Sequence, residues 1–151
     1  MIIRLDDLRG PQIASFLDEH IRDMKAVSPP GSKHALDLEG LRRPEISFWT
    51  VWDESQIAGC GALKELSADH GELKSMRTAK PYRRHGIASM LMSHITEVSK
   101  HKGYRRLSLE TGSMAFFEPA RRFYAKFGFT PCGTFADYKL DPNSIFMSRP
   151  I

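Results

Sequence analysis

The sequence predicts one α/β domain of the mixed α+β kind. Two observations carry that expectation: a run of alternating strands in the middle of the chain, and a strand–helix–strand unit after it. Ile46 to Trp52 is rich in aromatic and β-branched residues, which suit a pleated, half-buried surface. Asp53-Glu54-Ser55 is a turn, and Gln56 to Leu66 is the returning strand. Ala68-Asp69-His70-Gly71 turns again, and Glu72 to Thr78 completes an antiparallel meander. The period then changes. Ile87, Met90, Leu91, Ile95 and Val98 fall on one helical stripe that ends near Gly103. From Arg105 to Glu110, Leu107 and Leu109 alternate with Ser108 and Glu110, a strand. Phe117 to Phe127 is helical, with Ala120, Phe123, Tyr124 and Phe127 on one face, Pro119 in its first turn and Gly128 at its end.

The flanks complete the order. Met1 to Leu8 reads as a strand, and Gln12 to Met24 as a helix with Ile13, Phe16, Leu17, Ile21 and Met24 at helical spacing. Ser28-Pro29-Pro30-Gly31-Ser32 breaks the chain, and a short helix is expected from His34 to Leu41. Phe129 to Thr134 and Ser144 to Arg149 close the chain as strands. No repeat or linker-like shift in composition divides residues 1–151, so one domain is expected.

Composition narrows the function classes. With 41% hydrophobic and 26% charged residues, the chain can bury a core without a metal or disulfide staple. Its net charge of +4 suits an anionic small molecule and falls short of the dense basic stripe of a nucleic-acid binder. Cys60 and Cys132 are expected to be buried thiols of a reducing compartment, and no Cys/His spacing resembles a zinc site. No apolar window approaches the ~20 residues of a membrane span. The N-terminus lacks the basic start and apolar stretch of a signal peptide, so a cytoplasmic protein is expected.

The most informative stretch runs from Thr78 through Lys80-Pro81-Tyr82-Arg83-Arg84-His85-Gly86-Ile87-Ala88: a strand ends, a basic turn follows, and an amphipathic helix begins. The first turn of a helix leaves main-chain N–H groups unpaired, and with the helix dipole these make an anion site. Gly86 lets a phosphate approach without a Cβ in the way, and Ala88 keeps the next turn narrow. Arg83 adds a guanidinium that can bond phosphate oxygens in two places. Chemically this suits a pyrophosphate. The bland alternative is a basic loop before an ordinary helix.

Arg83-x-x-Gly86-x-Ala88 resembles the (Arg/Gln)-x-x-Gly-x-(Gly/Ala) signature of the GCN5-related N-acetyltransferase superfamily, GNAT. Ala120-x-x-Phe123-Tyr124-x-x-Phe127-Gly128-Phe129 resembles a second segment of the same superfamily. Ser28-Pro29-Pro30, Cys60 to Leu66, Glu110 to Met114 and Asp141-Pro142-Asn143-Ser144 resemble the bacterial YsnE-like branch. The resemblance covers nearly the whole chain. It implies a mixed, mostly antiparallel sheet splayed between the strands at 72–78 and 105–110, with helices on both faces.

The same resemblance implies an acetyl-CoA-dependent N-acetyltransferase without a metal. The backbone of Met76, Arg77 and Thr78 would pair with the pantetheine arm, one N–H there polarising the thioester carbonyl. The amides of Arg84, His85, Gly86, Ile87 and Ala88 would hold the pyrophosphate. Tyr124 would donate to the departing thiolate, or else is a core aromatic. Glu72 is a candidate base acting through water, or else a solvated residue beside a turn. Glu110 is the second candidate base, its pKa raised at the mouth of the gap, or else a cap on the Thr111 and Ser113 backbone. Many members carry an asparagine where this chain has Phe117, and Ser113 is expected to substitute for it against the pantetheine.

The acceptor is expected to be a primary amine of a small molecule, amino acid or peptide, attacking directly in a ternary complex. Residues 28–34 would form a loop over its pocket, with His34 either a substrate contact or a surface residue. Asp137-Tyr138 and Asp141 to Ser144 either line that pocket or make a turn. Phe116 and Phe117 read as packing, and Trp49 and Trp52, three apart, fall on opposite sides of a regular strand. Neither a nucleic-acid nor a membrane partner is expected, and a homodimer is left open. The rival readings are a non-catalytic acetyl-CoA sensor and, behind it, a basic nucleic-acid module.

Overall fold

The computed structural model describes residues 1–27 and 38–151. The expected break at Ser28–Ser32, His34 and the start of the short helix lie outside the described residues. The elements in chain order are β1 (Ile2–Leu5), α1 (Pro11–Val27), α2 (Leu38–Leu41), β2 (Ile46–Asp53), β3 (Gln56–Ser67), β4 (His70–Thr78), α3 (Ile87–His101), β5 (Arg106–Gly112), α4 (Glu118–Lys126), β6 (Thr130–Cys132) and β7 (Ser144–Pro150). The strands form one seven-stranded sheet in the order β1-β2-β3-β4-β5-β7-β6, and only the β4–β5 pair is parallel.

Strand alternation sends neighbouring residues into two cores. Trp49, Val51, Leu63, Leu73, Leu107 and Leu109 face α3 together with Ile87, Leu91, Met92 and Ile95. Phe48, Cys60 and Ala62 face the other way, against Leu8, Ile13, Leu17 and Leu41. Helices therefore cover both faces, as the sequence led one to expect. α3 lies close on the sheet because β3 has glycines beneath it. A Cβ at Gly59 would stand 2.7 Å from Ile87 Cγ2, and one at Gly61 would stand 2.6 Å from Met76 Sδ and 3.1 Å from Ile95 Cδ1.

The feature that makes a site is the parting of β4 from β5. Their pairing runs only over His70–Arg106, Gly71–Leu107 and Glu72–Ser108, although β4 continues to Thr78 and β5 to Gly112. A bulge causes it. Cys60 faces Arg77 while Ala62 faces Lys74, so β4 carries an extra residue, and Ser75 takes a positive φ of 54°. The bulge turns β4 away from β5 beyond Glu72.

Some elements differ from the sequence reading. β1 stops at Leu5, because the Asp6 carboxylate accepts the Leu8 amide at 2.7 Å and Leu8 turns to φ 64°. The helix expected to begin at Phe117 begins at Glu118, after a 3-10 turn at Ala115–Phe117. Cys60 is buried, and burial pushes its thiol up to about 12. Cys132 is exposed, contrary to expectation, because β6 is a short edge strand whose three residues all face solvent.

Candidate active site

The turn between β4 and α3 is held rigidly from below. Lys80–Tyr82 forms a 3-10 turn. The Tyr82 hydroxyl donates to Asp53 Oδ2 at 2.8 Å, tying the turn to the β2–β3 hairpin. Arg84 and Gly86 both have positive φ, 65° and 79°, which aims successive N–H groups into one concavity. The first bond of α3 runs from the Met90 amide to Gly86 O, so the amides of Ile87, Ala88 and Ser89 have no helical partner. Among the described residues the Arg84 and Gly86 amides also bond no acceptor, whereas the His85 amide donates to Tyr82 O at 3.3 Å. Space over Gly86 is open, with nothing within 4 Å of a Cβ built there. Arg83, Arg84 and His85 are exposed, and neither arginine has an ion pair among the described residues. Open donors, cationic side chains and empty space suit a pyrophosphate.

The gap itself leads to this turn. From Leu73 to Thr78, β4 pairs only with β3, so its other edge is without a strand partner among the described residues. That edge includes Met76, Arg77 and Thr78. The Arg77 side chain does not enter the gap. It is buried against α1, paired with Asp23 at 2.9 Å and Glu19 at 3.6 Å and bonded to His20 Nδ1 at 3.2 Å.

Across the gap, Tyr124 of α4 packs its ring against Phe123 and Phe129. Burial, then the charge of Glu110, pushes its phenol up to about 12, so it carries its proton at neutral pH. Among the described residues nothing hydrogen-bonds its hydroxyl, which suits a donor awaiting a ligand. α4 is fixed to the end of β5 by Arg121, whose Nη1 donates to Gly112 O at 2.6 Å and Met114 O at 3.0 Å.

On the sheet face opposite α3 the side chains gather differently. Glu72 is only 2% exposed, not solvated, and its Oε2 accepts from Lys74 Nζ at 3.0 Å and from the Tyr138 hydroxyl at 2.5 Å. Glu110 lies on the same face of β5 as Ser108, and its charge raises both Tyr124 and Tyr138. The Ser113 amide donates to Asn143 O, not to Glu110 as the cap reading required. Ser113 Oγ donates to Pro142 O at 2.7 Å, so its proton is engaged with the loop before β7. Asp141 makes the turn there, accepting the Asn143 amide at 2.8 Å. Phe117 is packing, as expected: a Cβ on Gly112 would stand 2.1 Å from its ring. Phe116 packs edge-on against Phe117, with ring centroids 5.0 Å apart, while leaving 58% of its own surface exposed. Trp49 is core and stacks edge-on to His94, while Trp52 lies on the other face and bonds Thr50.

Sequence reasoning missed Lys74, the bond from Tyr138 to Glu72, the Tyr82–Asp53 tie and the Arg121 brace. The partners of Tyr138 and Tyr82 lie 66 and 29 residues away, and the Arg121 brace runs to main-chain carbonyls, so none leaves a local signal. Among the described residues no group of three His, Cys, Asp or Glu side chains is gathered to hold a metal ion. Nor is any described helix long and apolar enough to cross a membrane.

A mixed sheet parted beside a helix start with open amides is the architecture of a GNAT-type acetyltransferase, and the chain belongs to that family: the acetyltransferase (GNAT) family profile matches residues 13–129. It is an N-acetyltransferase enzyme by class. The chain is 55% identical over 151 residues to the uncharacterized N-acetyltransferase YsnE of Bacillus subtilis (strain 168), covering 100% of both. It is 50% identical over 146 residues to the uncharacterized N-acetyltransferase YedL of Escherichia coli (strain K12), covering 97% of this chain and 92% of that one. Among solved structures, an aminoglycoside 6'-N-acetyltransferase complexed with coenzyme A matches with a TM-score of 0.74 at 16% identity, over 99% of this chain and 97% of that one. At that identity the likeness is one of fold.

Proposed function

We propose that this enzyme moves an acetyl group from acetyl-CoA to a primary amine of a small molecule, amino acid or peptide, by direct attack in a ternary complex. One observation carries the reading. The open edge of β4 leads, through the 3-10 turn at Lys80–Tyr82, to the unpaired amides at the start of α3. An edge followed by open amides suits a pantetheine arm ending in a pyrophosphate, and the coenzyme A held by the fold neighbour supports that reading.

The roles follow from the chemistry. The amides of Arg84, Gly86, Ile87 and Ala88, with the side chains of Arg83, Arg84 and His85, hold the pyrophosphate. The backbone of Met76 to Thr78 takes the arm as an added strand, with Ser113 alongside, and an N–H of that edge polarises the thioester carbonyl. The thioester supplies the activated acyl carbon. The amine nitrogen bonds to that carbon, the carbon–sulfur bond breaks, and Tyr124 donates a hydrogen bond or its proton to the thiolate. The surplus ammonium proton goes to a carboxylate on the opposite face, Glu72 or Glu110, directly or through water.

Calorimetry with coenzyme A tests the cofactor half. The expected result is that Arg83→Glu weakens binding by about tenfold or more, the loss of a charge-assisted contact. Normal affinity in that variant, or thiol release that stays at background across pooled amines, amino acids and peptides, would overturn the reading.

A further inference from the structure

We propose that Glu72 is a positioning residue, which through the Tyr138 hydroxyl straps the loop between β6 and β7 across β5 onto β4 and so shapes the acceptor pocket. The proposal rests on the acetyl-transfer reading and divides the two carboxylates that it left together.

The geometry is that of a strap. The loop, residues 133–143, follows β6, and its rings Phe135 and Tyr138 lie against Phe146 of β7, with centroids 5.8 and 5.4 Å away. In the sheet, β5 stands between β7 and β4. A side chain anchored on β7 that bonds to β4 must therefore pass over β5. Tyr138 does so. Its hydroxyl donates to Glu72 Oε2 and accepts from Lys74 Nζ at 2.9 Å, while Lys74 Nζ bonds the same carboxylate oxygen. Phe135 reaches the same strand, 6.0 Å from the His70 ring. Glu72 is also the last residue of β4 to pair with β5. The strap thus crosses where the strands begin to part and closes the foot of the gap on the face away from α3.

A base must meet the amine's proton directly or through one water. Glu72 is nearly fully buried, and its Oε2 already accepts two donors from the protein. Burial, then the charge and bond of Glu72, raises the Tyr138 phenol well above its ordinary value, so the strap keeps its donor at every working pH. In this reading the proton-accepting role passes to Glu110, on the same face of β5, whose charge acts on both Tyr124 and Tyr138.

The test compares Glu72→Gln, Tyr138→Phe and their double variant. It uses thiol release with acetyl-CoA and the best acceptor from the amine pool. Each single change should raise the acceptor KM about tenfold, the worth of one buried hydrogen bond, with kcat within about threefold and the KM for acetyl-CoA unchanged. The double variant should be no worse than the singles, and Glu72→Gln should keep the acid limb of the kcat–pH profile. A loss of about 100-fold in kcat in Glu72→Gln with that limb gone, beside a normal Tyr138→Phe, would make Glu72 the base and overturn the strap. So would additive effects. Hydrogen exchange without substrate gives a second readout. In both single variants, amides of residues 133–143 should exchange about tenfold faster while α3 stays protected; unchanged exchange sinks the proposal. Wild-type protein that releases no thiol with any amine, yet shows this exchange pattern, would refute acetyl transfer and leave the strap standing.

Discussion

The two ends of the gap are built on opposite plans. At the proposed cofactor end the donors are the main-chain amides of Arg84 and of Gly86 to Ser89, set by two positive-φ residues and one helix start, while the His85 amide is bonded to Tyr82 O. At the proposed acceptor end the groups are side chains, and Glu72 and Lys74 of β4 and Tyr138 of the loop before β7 are bonded to one another. The first set of donors belongs to the main chain, which every residue but proline can supply where the backbone angles allow. The acceptor end is a closed circuit, in which one substitution strands its partners. A family can keep the first constant while varying the second.

The contrast can be pressed from the largest effect to the smallest. Lys74→Met removes the cation from a carboxylate that is 2% exposed, and should cost about 3–5 kcal/mol of unfolding free energy, read by urea denaturation. A cost below about 1 kcal/mol would mean the acceptor face tolerates change as the cofactor face does.

Acid should loosen that same face through His20. Burial, then the Arg77 charge, lowers its pKa from 6.5 to about 4, with Asp23 opposing. The unfolded chain therefore binds this proton first. The contribution is complete above pH 6.5 and lost as pH falls through about 4, a decline of up to about 3 kcal/mol at ~1.4 kcal/mol per unit. Denaturation at stepped pH should show this slope, and His20→Gln should flatten it.

Tyr124→Phe should lower kcat about 100-fold, roughly 2.7 kcal/mol, without changing coenzyme A affinity. Unchanged turnover removes Tyr124 from the chemistry. The smallest effect belongs to the cofactor end. Gly86→Ala meets no atom within 4 Å but must hold φ 79°, so stability should fall by about 1–2 kcal/mol. Coenzyme A affinity should fall as well, because the new methyl points into the space the phosphates need. A loss of stability with full affinity would locate the anion elsewhere.

How much of this was legible in sequence follows the same division. The phosphate turn could be read because its parts are neighbours: Arg83, Gly86 and Ala88 lie within six residues, on a strand–helix boundary that periodicity marks. The gap was legible only through family resemblance. Its physical cause, the bulge at Ser75, is a change of register between strands that no local pattern announces. Glu72 was expected to be a base or a solvated residue, because alternation gives its face but not its company. Its partner Tyr138 is 66 residues away, and they meet only because β5 and β7 are interposed. Arg77 was placed by its backbone, and its guanidinium turns to α1, whose Asp23 and His20 carry no mark in sequence. Ser113 was expected beside the pantetheine, and its hydroxyl proton goes instead to Pro142 O.

The two glycines beneath α3 act as a gauge. Because Gly59 and Gly61 lack side chains, the helix settles on β3 until Ile87 and Ile95 touch bare backbone. Ile87 is also the first residue of α3, and its amide is one of those without a helical partner. On the proposed reading, the depth at which the helix comes to rest would set how far its opening amides stand from the β4 edge, and a methyl group on the floor would lengthen that reach.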